Sequence, residues 1–457
     1  MPSLKLKDCR LVATMNDAGD ELADTTICVR DGWITHVGGD TPDERFDEVV
    51  DARRFVAIPG LVNTHHHLYQ TLTRGFPESE GAPLFAWLQR LYPIWAGLDE
   101  EMVHASTRTG LAELALSGCT TSSDHLYVFP LGSAAFMDAQ VEAARTIGLR
   151  FHPTRGSMDL GRSAGGLPPD SIVQSREEIL RDSERVIDRY HDAEPGAMIR
   201  IGLAPCSPFS VTPELMRQTA ALAREHGVRL HTHIAETLDE DAYSRSEYGM
   251  SPIRLLESVG WTHGDVWVAH CVHPAEADIE LLGDRQVAVA HCPTSNMLLG
   301  SGIAPTRVFL QRGITVGLGV DGSASNDSND LRQEVKQALL AARVRDGAEA
   351  MSTRTALRVA TRGGAACLGR DDIGCIEVGK AADIILFDAG SLDLAGAQDD
   401  IISGIVLGAA KPHTVYVQGR RVVWQGALAQ VDADVLAREL NRHASRLLDR
   451  YRSTSGE

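Results

Sequence analysis

Between Gly60 and Ser323, short apolar runs alternate with longer segments of helical period, and no other feature of the sequence restricts the fold as much. The runs are Gly60–His67, Cys119–His125, Leu149–Arg155, Ile199–Cys206, Arg229–Glu236, Val266–His273, Val287–Asn296 and Thr315–Ser323. Segments such as Glu100–Ser117, Ser175–Tyr190 and Pro213–His226 lie between them, and Asp330–Arg343 follows the last, each with apolar residues on one helical face. Eight strands, each followed by a helix, are what an eightfold parallel barrel requires. No internal repeat is evident, so this expectation rests on pattern alone.

The two ends of the chain read differently. Leu4–Thr14 and Thr25–Val37 are rich in Val, Ile and Thr and are broken by the turn pairs Asn16-Asp17 and Asp31-Gly32. After Gly369 the strand pattern returns in Ile373–Val378, Ala382–Asp388 and His413–Trp424, with turns at Gly379-Lys380 and Gly419-Arg420. A last amphipathic helix is expected from an N-cap at Asp432 to Tyr451, with Leu436, Leu440, Ala444 and Leu447 on one face. The expected architecture is therefore α/β: a (β/α)8 TIM-like barrel over 59–370, and a small β-sandwich domain built from 1–58 and 371–457, the latter including the terminal helix.

Composition narrows the partners. The chain has 457 residues, 43% hydrophobic and 23% charged, which suits a folded globular protein and excludes a disordered one. Its 44 Lys and Arg against 62 Asp and Glu leave a formal net charge of −18, which repels a phosphate backbone or an anionic membrane. No polymeric nucleic acid and no membrane partner is expected. Eight dispersed cysteines without a CxxC pair suit a reducing compartment. The N-terminal stretch lacks the apolar core of a signal peptide, and no apolar run approaches the roughly 18 residues of a membrane span, so a cytoplasmic location is expected.

In barrel enzymes the chemistry sits at the C-terminal ends of the strands. The first run ends Asn63-Thr64-His65-His66-His67. Alternation along a strand points His65 and His67 the same way, where two imidazoles can share a metal ion. The fifth run ends His231-Thr232-His233-Ile234-Ala235-Glu236, the sixth His270-Cys271-Val272-His273, and the eighth Gly319-Val320-Asp321-Gly322-Ser323. Each set alone reads equally as core histidines or a turn-capping aspartate, but four consistent strand ends point to one metal site. Glu236, three residues after a candidate ligand, is placed to move protons beside the metal without binding it.

The segments Pro59-Gly60-Leu61-Val62-Asn63-Thr64-His65-His66-His67, His233-Ile234-Ala235-Glu236, Ala269-His270-Cys271-Val272-His273 and Gly319-Val320-Asp321-Gly322 resemble the amidohydrolase superfamily, in its aminohydrolase (cytosine and guanine deaminase-like) branch. The resemblance spans almost the whole chain. It implies His65, His67, His233 and Asp321 as metal ligands, Glu236 as proton shuttle, His270 as the residue that activates water or holds substrate, and Asp321 as a participant in the chemistry. It also implies one zinc per subunit, with iron as the alternative metal. Members with two metals bridge them with a lysine at the fourth strand end, where this chain has Leu203-Ala204-Pro205-Cys206-Ser207-Pro208.

For substrate binding the sequence offers the amide of Gln70 beyond His67, the aromatic face of Trp95, and Cys206 at the fourth strand end, with Asp124 and His125 as further candidates. His65 to Arg74 and Leu91-Tyr92-Pro93-Ile94-Trp95 resemble the bacterial 8-oxoguanine deaminases. This implies a small heterocyclic base as substrate, with 8-oxoguanine converted to uric acid and ammonia. Hydroxyatrazine-type triazines, isocytosine and guanine are the alternatives. A non-catalytic barrel that has lost its metal is the reading from another class, and every ligand position being filled counts against it. A homo-oligomer is compatible with the sequence, although no stretch forces an interface.

Overall fold

The computed structural model describes residues 3–39, 44–130, 133, 135–408 and 410–455. Five strands come first: β1 (Leu4–Ala13), β2 (Glu21–Arg30), β3 (Trp33–Gly38), β4 (Glu48–Asp51) and β5 (Phe55–Pro59). The β2–β3 hairpin turns at Asp31 and Gly32, both at positive φ (50° and 84°), the pairing whose twist matches that of antiparallel strands.

Eight parallel strands then close a barrel in sequence order: β6 (Leu61–Asn63), β7 (Cys119–Leu126), β8 (Arg150–Ser157), β9 (Gly202–Pro205), β10 (Arg229–Ile234), β11 (Val266–His270), β12 (Ala288–His291) and β13 (Val316–Leu318). Leu318 pairs with Asn63 to seal the ring. Every residue of these strands except Arg229 is buried, so none shows the alternation of a half-exposed strand; β6, β9, β11, β12 and β13 read as short apolar runs, whereas β7 and β8 bury mostly polar side chains. The helices between them follow the expected segments and are capped as their sequences suggest. Asp99 accepts from Met102 N–H (3.0 Å), and Ser175 and Glu178 form a reciprocal capping box.

The C-terminal strands β14 (Ile384–Asp388), β15 (Thr414–Val417), β16 (Arg420–Trp424) and β17 (Ala427–Leu428) return to the first ones. β14 pairs antiparallel with β5, from Ile384 opposite Pro59 to Asp388 opposite Phe55. The two chain ends so complete a nine-stranded sheet ordered β17-β16-β15-β14-β5-β1-β2-β3, with β4 on β1. The terminal helix Ala433–Ser455 starts after Asp432, whose carboxylate accepts from Asp434 N–H (2.8 Å), and it buries Leu436, Leu440 and Leu447. Among the described residues, no helix is long and apolar enough to cross a membrane, and all eight cysteines are buried and unpaired.

Two expectations need correction. Ile373–Val378 forms no strand. Gly374 sits at φ 85° against Ala365, Arg362 and Thr361, where a Cβ would come within 3.0 Å, and this packing bends the segment out of any ladder. Several barrel strands also stop short of the apolar run that announced them: β6 ends at Asn63, β11 at His270 and β13 at Leu318, and Asn296 lies in the helix Pro293–Leu298.

The sheet and the barrel are joined by a buried ion pair. Arg150 at the start of β8 reaches Asp383 just before β14 (Nη2–Oδ1 3.1 Å), with side-chain exposures of 0% and 2%. Asp383 also accepts from Gln418 N–H (2.8 Å). Asp383→Asn leaves the guanidinium buried without its counter-charge. It is expected to cost about 3–5 kcal/mol in a denaturant melt, and a loss below about 1 kcal/mol would show that the pair does not hold the two parts together.

Candidate metal centre and active site

The chemistry-bearing residues sit just past the strand ends, on backbone that bends sharply. Ala235, His270 and Asp321 have φ of 50°, 70° and 63°, a left-handed conformation that non-glycine residues adopt at a cost of about 1–3 kcal/mol each. Such bends swing the Glu236 and Asp321 side chains over the barrel mouth. His65 and His67 lie on the segment after β6, held against the eighth strand end by Asp321 N–H bonded to His65 O (3.1 Å). His66 turns away, its Nδ1 accepting from His67 N–H (2.7 Å).

The hydrogen bonds around the histidines fix where their lone pairs point. His67 Nδ1–H donates to His125 O (2.7 Å) and His233 Nδ1–H to Cys206 O (2.7 Å), so each Nε2 is an unprotonated acceptor. His231 Nδ1–H donates to Trp267 O (2.9 Å), leaving His231 Nε2 to accept from His65 Nδ1–H at 2.7 Å. His65 Nε2 is then also a lone pair, buried and without a hydrogen-bond partner. Three acceptor nitrogens thus converge with a carboxylate. His67 Nε2 lies 3.0 Å from His233 Nε2, and Asp321 Oδ1 lies 3.3 Å and 3.4 Å from His65 and His67 Nε2. Four acceptors facing one another with no donor between them fit a divalent cation, and three imidazoles plus a carboxylate is a zinc-type donor set. His65, His67, His125 and His233 group within 4.8 Å of one another, as do His65, His270 and Asp321. His125 Nε2–H is spent on Ala204 O (2.8 Å), and its ring stacks on His233.

Electrostatics agree with that arrangement. Burial holds His65 and His233 well below the usual imidazole range and His67 below it, which keeps them neutral. Burial alone would raise Asp321, but its closeness to the His65, His270 and His67 imidazoles holds it well below the carboxylate range. Its Oδ2 accepts from Ser295 Oγ–H (2.6 Å) and its Oδ1 from Gly322 N–H (2.8 Å).

Beside this cluster, His270 Nε2 lies 3.7 Å from Glu236 Oε2 and 4.0 Å from Asp321 Oδ2, while His270 Nδ1–H donates to Asn296 Oδ1 (2.9 Å). Burial would lower His270, yet Glu236 and Asp321 outweigh it and raise it. Burial raises Glu236. Glu240, which burial pushes up to about 7, grips the turn beneath by accepting from Ala235 N–H and Glu236 N–H, both at 2.8 Å.

A cavity of about 370 Å3, counting its mouth, opens over His67, His233, Glu236, His270 and Asp321. Gln70, Trp87, Tyr127, Cys206, Phe209 and Leu299 are among the residues that line it. Gln70 is buried with its Oε1 unpartnered, pressed over Gly322, where a Cβ would clash at 1.9 Å. Burial pushes the Cys206 thiol up to about 12, so it meets a ligand as a neutral group. Trp95 does not reach the cavity. It is fully buried behind Trp87 (5.5 Å between rings), with its indole N–H on Thr73 Oγ1 (3.1 Å). Trp87, on the same helix Leu84–Trp95, provides the aromatic wall instead. Asp124 also faces away, its carboxylate accepting from Leu68 N–H and Gln140 Nε2–H (both 2.7 Å).

Sequence reading missed His231, Ser295, Glu240 and Tyr127. The first three act only through hydrogen bonds to other site residues, and Tyr127 lies beyond the end of β7. For Ser295 and Glu240 no spacing signal exists. His231 was visible as an alternate neighbour of His233.

Comparison with known proteins adds the lineage. Residues 56–422 match the model of the amidohydrolase family. The chain is 46% identical over 424 residues to an 8-oxoguanine deaminase of Pseudomonas aeruginosa, covering 92% of this chain and 94% of that one. It is 37% identical over 444 residues to the hydroxydechloroatrazine ethylaminohydrolase of Pseudomonas sp. strain ADP, covering 93% and 92%. Among solved structures, atrazine chlorohydrolase from Arthrobacter aurescens TC1, complexed with zinc, superposes with a TM-score of 0.93 at 36% identity, covering 96% of this chain and all of that one.

Proposed function

The chain belongs to the amidohydrolase family as a metal-dependent aminohydrolase, and from that premise we propose that it deaminates 8-oxoguanine: the base and water give uric acid and ammonia. The observation that carries this reading is the convergence of three acceptor imidazole nitrogens and the Asp321 carboxylate beside Glu236, where a cavity opens over them. The 46% identity to an 8-oxoguanine deaminase selects the substrate.

His65, His67, His233 and Asp321 hold the ion, and a single zinc is the metal proposed. The zinc-bound relative and the absence of a lysine at the end of β9 favour one zinc over iron or a metal pair. When bound, such an ion supplies Lewis acidity that brings the pKa of water from 15.7 to about 7. Asp321, beside the attacking water, orients it and takes up its proton, with His270 Nε2 within 4.0 Å to share the charge. Glu236, whose pKa burial raises, protonates the ring nitrogen next to the amino-bearing carbon. The proton that Asp321 took from the water passes to the exocyclic nitrogen and releases ammonia, and the hydroxyl proton of the adduct returns to Glu236 as the carbonyl forms. Gln70, with its unpartnered Oε1, recognises the polar edge of the base, Trp87 stacks on its face, and Cys206 closes the wall. A cytoplasmic setting suits eight buried free thiols.

The hydroxytriazine reading is favoured by one specific observation, the 37% identical ethylaminohydrolase. Ammonia or amine release from 8-oxoguanine, guanine, isocytosine, cytosine and hydroxyatrazine separates the two. The highest kcat/KM is expected on 8-oxoguanine. An inert 8-oxoguanine alongside an active hydroxyatrazine moves the assignment to the triazines.

A further inference from the structure

At the opposite end of the barrel, where β9 and β10 begin, a second hollow of about 940 Å3, counting its mouth, opens to solvent. Arg200, Arg224, Arg229, His152 and His191 line it, with Asp265 as the one carboxylate among the described residues. In a chain of net charge −18, this concentration of cations is out of character.

The pairing of these cations shows which charges are free. Asp265 is taken by Arg224 (2.9 Å). Behind the wall, Arg370 is paired with Asp372 (2.6 Å), and Arg150 with Asp383 (3.1 Å). Arg200 and Arg229 have no carboxylate partner among the described residues. Arg200 bonds to the carbonyls of Ala193 (2.9 Å) and Glu194 (3.2 Å), and Arg229 to that of Gly264 (3.0 Å). The Nε of each is buried and unpartnered. Both groups meet at Gly369, whose carbonyl lies 3.5 Å from Arg200 Nη1 and where a Cβ would sit 2.8–3.2 Å from the Arg229 side chain. A glycine at that point keeps the two guanidinium groups beside the hollow uncovered. The field is felt by His152, which burial, Arg370 and Arg200 together hold well below the imidazole range.

Two half-buried guanidinium groups with no carboxylate in contact are costly unless an anion completes them. We propose that this hollow binds a phosphate group, free or at the end of a small phosphomonoester, through Arg200 and Arg229. The site lies on the N-terminal face of the barrel, at the opposite end from the metal centre.

Calorimetric titration of the zinc-loaded full chain tests it, with inorganic phosphate in one arm and ribose 5-phosphate in the other, at ionic strength held constant with chloride. One phosphate per chain is expected, weakened by at least about tenfold in Arg200→Met and in Arg229→Met, with a smaller loss in Arg229→Lys. A tighter ester than free phosphate identifies the ester as the ligand, and equal affinity identifies the free ion. On the unaltered protein, phosphate should protect Arg200 and Arg229 from phenylglyoxal, read residue by residue by mass spectrometry, so the test does not depend on the variants folding. Heats no different from those of chloride, binding unchanged in the arginine variants, or undiminished modification of both arginines each overturn the proposal.

Discussion

Turnover of the metal-loaded protein is expected to fall about 10²–10⁴-fold when Glu236 is replaced by glutamine, with bound metal and melting temperature unchanged. The substitution preserves size and hydrogen-bonding capacity and removes only the ability to exchange a proton. The surroundings predict a local effect. Glu236 is buried, its Oε1 has no hydrogen-bond partner, and the turn that carries it is held through backbone N–H groups by Glu240 rather than by its own carboxylate. The Nε2 of His270, 3.7 Å from Oε2, loses a charged neighbour but keeps Asn296 on its other nitrogen. Metal content by elemental analysis and kcat by ammonia release, measured on the same preparation, check this. Unimpaired kcat would remove Glu236 from proton transfer. A parallel loss of metal would make it a ligand or a support for one.

Why part of this site was legible in the sequence and part was not follows from the forces that fix each residue. Burial on both faces leaves most of the barrel strands as short runs without alternation, so the strand count, and with it the neighbourhood of His65, His67, His233, His270 and Asp321, could be read directly. The precise end of each strand could not, because it is set by left-handed residues such as Ala235 and Asp321, whose side chains carry no signature of that backbone. Alternation pointed His65 and His67 together although both lie beyond the ladder, where the bonds to His231 and to the His125 carbonyl aim them. Trp87 and Trp95 illustrate a different limit. They are eight residues apart and lie on similar faces of one helix, and only the way that helix packs decides that Trp87 reaches the cavity and Trp95 the core. The strand expected at Ile373–Val378 failed because apolar content was read without the constraint that Gly374 imposes. Groups that act through another residue, such as Ser295 on Asp321, leave no spacing to read.

Removing the ion with a chelator is expected to abolish turnover and to destabilise the fold, and one equivalent of zinc per chain should restore both. The reason lies in the donor set. Without a cation, His67 and His233 present lone pairs to each other at 3.0 Å, the buried His65 Nε2 has no partner, and Asp321 adds a negative charge to the same point. Such a cluster must take up a proton or admit water, and either costs free energy that the bound ion offsets. At a free zinc concentration 100 times the Kd, binding stabilises the folded chain by about 2.7 kcal/mol, which a thermal melt resolves. The direction with pH follows from burial, which lowers the pKa of His65, His67 and His233 below that of a free imidazole. Their ligating neutral form therefore persists below pH 6.5, and metal retention should hold through mild acidification and be lost only at lower pH. Two ions bound with equal affinity would refute the single-ion centre. An apo protein that melts no earlier than the loaded one would mean that these four side chains are not what holds the metal.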